Sequence, residues 1–178
     1  MRTSQSFSII ELLLVCAIIA IGAALYAPRL NFVQQYKLER ELDAFEALFE
    51  HLRNRAMATG VLQRLMFLFD KDMYCYGSVE SMQSTGKLCA GVQYGFLSGT
   101  LGPPGNPVQL LMSASSFGEG KPQSYVDFFP NGKISPGALY LRGREMSVGA
   151  ALTCAISQVS YIRKYVYINQ QWQRINDR

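Results

Sequence analysis

The chain has 178 residues, of which 49% are apolar and 17% charged, with a formal net charge of +4. That length holds one small globular domain beside a single membrane-length segment, and the apolar content excludes a disordered chain. The positive surplus is placed late: residues 133–178 hold seven basic groups against two acidic, whereas residues 1–60 hold six of each.

Phe7 to Ala27 is an apolar run of twenty-one residues interrupted by one ionisable group, Glu11. At about 1.5 Å per residue it is long enough for roughly 30 Å of hydrocarbon. A cleaved secretory signal has a shorter apolar region, about 7–15 residues. A carboxylate inside a bilayer costs roughly 2.5–3.5 kcal/mol, so a plain anchor would gain by losing it. Glu11 therefore calls for a positive partner from another subunit. Pro28 follows the run and is expected to kink the helix where a missing backbone donor can meet water.

Beyond Pro28, Leu38, Leu42, Phe45, Phe49, Leu52 and Ala56 recur at steps of four and three, the seam of an amphipathic helix that Gly60 stops. Glu39, Asp43, Glu46 and Glu50 form an acidic stripe beside the seam. It is read as a solvated face, the alternative being a basic neighbour.

After Gly60 the pattern is that of strands. Residues 61–69 (VLQRLMFLF) form a β run followed by polar turns; further runs are YGFL near residue 95 and VQLLM from Val108. Residues 99–107 read as loop, and 125–134 (YVDFFPNGKI) as strand, Asn131-Gly132 turn and new strand. Two last strands start near Met146 and Tyr161. The fold class is α+β, a long N-terminal helix packed on an antiparallel β head.

Cys16, Cys75, Cys89 and Cys154 show no C-x-x-C spacing, and His51 is the only histidine, so no metal site is expected. Cys75 and Cys89 flank a polar segment; a loop-closing disulfide and two free thiols are both open. The sequence has neither G-x-S-x-G nor G-x-x-x-x-G-K-[ST], and the chain is read as a non-enzyme without cofactor. Near the end Tyr161, Arg163, Tyr165 and Tyr167 alternate with Ile162, Lys164, Val166 and Ile168. Interleaved aromatic and basic groups suit single-stranded nucleic acid, with Tyr161, Arg163 and Lys164 as candidate contacts.

The N-terminal segment resembles the class III signal of type IV pilins and type II secretion pseudopilins: leader MRTSQS, then Phe7, Glu11, an apolar helix and Pro28. The helix LERELDAFEALFEHLRNRAMATG, the β run, the FFPNGKI turn and the later Ile156-Ser157 element are similar to the GspH/FimT group of minor pseudopilins. This resemblance implies a pilin-like fold with a leader (1–6), a transmembrane stem (7–28), an amphipathic second half (29–60) and a β-rich periplasmic head (61–178). It further implies cleavage between Ser6 and Phe7 by a prepilin peptidase that also methylates the Phe7 amine. Ser6 stands where the family carries glycine. Glu11 would pair with a neighbouring subunit's amine, and the partners would be other pseudopilins in an inner-membrane-anchored filament of a type II secretion-like machine. The alternative is a FimT-like minor pilin serving pilus biogenesis or DNA uptake.

Overall fold

The computed structural model describes residues 8–102, 108–118, 124–143, 148–154, 161–168 and 170–175, with side chains outside 23–32. One helix, α1 (Ile9–Thr59), precedes the strands β1 (Gln63–Leu68), β2 (Met73–Ser78), β3 (Ser81–Lys87), β4 (Val92–Tyr94), β5 (Tyr125–Phe128), β6 (Gly137–Gly143), β7 (Gly149–Cys154), β8 (Ile162–Ile168) and β9 (Gln171–Arg174). The chain divides into two compact units, Met1–Val33 and Gln34–Arg178.

The second unit is the β head with the helical residues from Gln34 onward. Its strands form two antiparallel sheets, β3-β2-β1-β5 and β4-β6-β7-β8-β9. All six seam residues of α1, Leu38 to Ala56, are fully buried as the periodicity requires. They join Leu65 and Phe67 of β1, Val126 and Phe128 of β5, Leu139 and Leu141 of β6, and Leu152 of β7 in one core. Phe49 meets Phe128 edge-on at 5.2 Å, and Phe45 sits 5.1 Å from Tyr74, contacts that fix the helix against the strands beyond simple area burial. Gly60 ends the helix at φ +68°, its N–H donating to the Ala56 carbonyl.

The turn after β5 forms as expected, with one difference. Gly132 takes φ +78° but Asn131 does not; Asn131 Oδ1 instead accepts the Lys133 N–H at 3.1 Å. Pro130 and Asn131 thus supply an ordinary turn and Gly132 alone the left-handed residue.

The outer face of the five-stranded sheet is covered as well. Ala138, Tyr140 and Ala151 are buried there beneath Phe96, Leu111, Tyr165 and Trp172. The Trp172 indole N–H reaches the Leu101 and Gly102 carbonyls, each at 3.0 Å. β6 is consequently buried on both sides.

The strand expected from Val108 is not present. Val108 and Met112 are 83% and 90% exposed, and Leu110 makes only an isolated bridge to Leu101. The backbone of this run pairs instead with the loop before it, the Leu111 N–H donating to the Thr100 carbonyl and the Gln109 carbonyl accepting from Gly102. The polar stretch after β1 is instead the β2–β3 hairpin, paired from Met73–Lys87 to Ser78–Ser81.

Candidate functional site

The features that could bear function lie on the helix and on the head, and each is described within its own unit. In the first unit, Ser8 starts the helix: its carbonyl accepts the N–H groups of Glu11 and Leu12, and its Oγ that of Ile10. Glu11 lies in the first turn, where the amide dipoles favour a negative charge. Around it Ile9, Ile10, Leu12, Leu13, Leu14, Ile18, Ile19 and Ile21 are all exposed. So many large aliphatic groups on every side of a helix form a surface that water alone does not solvate favourably. Cys16 is a free, exposed thiol on the same stretch.

Ser6 and Phe7 lie outside the described residues, and Pro28 is in α1 with its side chain outside them. Ile156 and Ser157 also lie outside. Among the described residues no helix is long and apolar enough to cross a membrane. The run from Phe7 to Ala27 is described with its side chains only up to Gly22.

In the second unit the acidic stripe is partly turned to a basic neighbour. Lys164 of β8 is 9% exposed and places Nζ 2.9 Å from Asp43 Oδ1 and 2.6 Å from Glu46 Oε2. This corrects two expectations. Lys164 is no contact for an outside nucleic acid, because the same alternation that puts Val166 in the core turns Lys164 toward α1. The stripe is not uniformly solvated, since Glu46 is held by that lysine while Asp43 stays 65% exposed. Tyr161 and Arg163 are exposed, as an outward-facing pair would be.

The Cys75–Cys89 bridge is not formed; both are free thiols. Cys75 pairs with Thr85 in the β2–β3 ladder, and its Sγ contacts Met82 Sδ. Cys89 lies beyond the hairpin, with its N–H on the buried carboxylate of Glu41 at 3.2 Å. The hairpin's own ladder already closes the segment between them. Burial pushes the thiols of Cys75 and Cys89 up, so neither is a ready nucleophile. Glu41 was not singled out by the sequence. Its one signal was its place at i+3 from Leu38 and directly before Leu42, on the margin of the seam. Lys37 Nζ also reaches the Ala90 carbonyl at 3.4 Å, so the segment after β3 is tied to the helix twice.

No described protein family matches this sequence, and no curated protein does. Among solved structures, the chain is similar to two of the minor pseudopilin EpsH from the type II secretion system of Vibrio cholerae. One shares 12% identity at a TM-score of 0.48, over 71% of this chain and 95% of that one. The other shares 14% at 0.46, over 71% of this chain and 92% of that one.

Proposed function

We propose that this chain is a minor pseudopilin-like subunit of a filament that is anchored in the inner membrane and serves a type II secretion-like machine. One observation carries the reading: a helix exposing aliphatic side chains all round, with a single carboxylate in its first turn. Such a surface is stable in lipid or among like helices, and the carboxylate is tolerated there only when paired with a cation. The positive group that fits is the amine of a neighbouring subunit's Phe7, freed by removal of residues 1–6 and methylated by the prepilin peptidase. The stem would wait in the membrane as a single pass, with the head in the periplasm. The head contributes shape and contacts, and its role is assembly without catalysis. The FimT-like alternative of DNA uptake loses Lys164 from its contact set and keeps Tyr161 and Arg163.

The test has two parts. Mass spectrometry of protein from its native membrane is expected to find a chain beginning at methylated Phe7. Glu11→Ala is expected to remain membrane-bound while cross-linking to neighbouring subunits drops at least about tenfold, the equivalent of some 1.4 kcal/mol. Undiminished cross-linking in Glu11→Ala would remove the assembly role of this residue.

A further inference from the structure

The face of the four-stranded sheet turned away from the core is rich in sulfur. Leu65 and Phe67 of β1 point into the core, so Met66 and Leu68 lie on the other face. The register sets Met66 opposite Cys75 and Leu68 opposite Met73, and residues directly opposed in an antiparallel pair share a face. Cys75 Sγ lies 3.7 Å from Sδ of Met82 on β3. Met66, Met73, Cys75 and Met82 are all half-buried, reachable from solvent yet shielded from much of it.

We propose that Cys75 and Met82, with Met66 across the strand, form a binding site for a soft monovalent metal ion, Cu(I). Thiolate and thioether donors select this ion over divalent competitors. With metal–sulfur bonds of about 2.3 Å, two sulfurs at the observed spacing subtend an angle of about 107° at the metal, suited to a three- or four-coordinate ion. Among the described residues no three His, Cys, Asp or Glu side chains gather as a metal site, so the thioethers are what distinguish this cluster as a place for a soft ion. Binding breaks the Cys75 S–H bond, forms S–Cu and releases one proton to water; copper stays monovalent and no electron moves. The site does not depend on the assembly reading, since none of its residues lies on the helix.

The experiment titrates Cu(I) into the full-length protein in detergent, under reducing conditions and in competition with bicinchoninate. The wild type, Cys16→Ser and Cys89→Ser are expected to retain one equivalent, and Cys75→Ser none. Met82→Leu should bind at least tenfold more weakly, because loss of merely supporting groups around a metal already costs about 10–100-fold. Its unchanged thermal unfolding without copper would confirm that the fold is intact. X-ray absorption of the loaded wild type should show a shell of sulfur alone. Failure of the wild type to retain copper, unchanged affinity in Met82→Leu, or loss of copper with Cys89→Ser would each overturn the site.

Discussion

Glu41 is a carboxyl group buried between α1 and the segment after β3, with the Cys89 amide as its partner. Burial pushes its pKa up, and the Cys89 N–H pulls it partly back. The folded state therefore holds this proton more tightly than the unfolded chain does. Its contribution to stability is full below the unfolded pKa, near 4.5, and declines as pH rises through the folded value. Glu41→Gln keeps an acceptor for Cys89 and removes the ionisation. We expect the variant to melt above the wild type at pH 7 and to match it near pH 4, as followed by circular dichroism. A variant less stable than wild type at pH 7 but equal to it near pH 4 would instead show that the ionised carboxylate is what the Cys89 amide requires.

At the scale of elements, the second half of α1 is held by two different forces. Phe49 fills the core between Phe117 and Phe128, and Phe49→Ala is expected to cost about 3–5 kcal/mol in denaturant titration. Lys164 joins β8 to the helix through Asp43 and Glu46. Breaking a buried pair costs about 3–5 kcal/mol, but Asp43 is mostly in water, so Lys164→Met should cost about 1–2 kcal/mol. Added salt should narrow that difference, which chemical denaturation at two ionic strengths would check. These elements also show what a sequence reveals. The seam was legible because one helix face meets one continuous core, so a single period governs six positions. The β2–β3 hairpin was not, because its outer strand is half-exposed and polar and its order comes from backbone pairing. β6 escaped because both its faces are covered, which erases alternation, and β9 because only Trp172 anchors it. The Val108 run misled in the other direction: its composition suits a strand, yet its backbone bonds go to the loop at Thr100 and Gly102 rather than to a sheet. In the candidate site, Glu11 stood out by charge contrast alone, whereas the inward turn of Lys164 required knowing which face of β8 meets α1.

On the scale of the whole molecule, residues 34–178 form a compact unit of their own, and its hydrophobic core, among the described residues, starts at Leu38. A chain reduced to residues 34–178 is accordingly expected to unfold cooperatively within a few degrees of the full-length protein in differential scanning calorimetry. A broad, non-cooperative transition would mean that the first unit is required for folding. Within the head, one indole grips two consecutive carbonyls from the last strand, and that strand lies at a sheet edge. The C-terminal ribbon thus serves as a clasp for the loop at Leu101 and Gly102 that follows β4. Fraying or trimming of β9 would unlatch that loop first, baring Tyr140 while the helix side of the sandwich stayed shut.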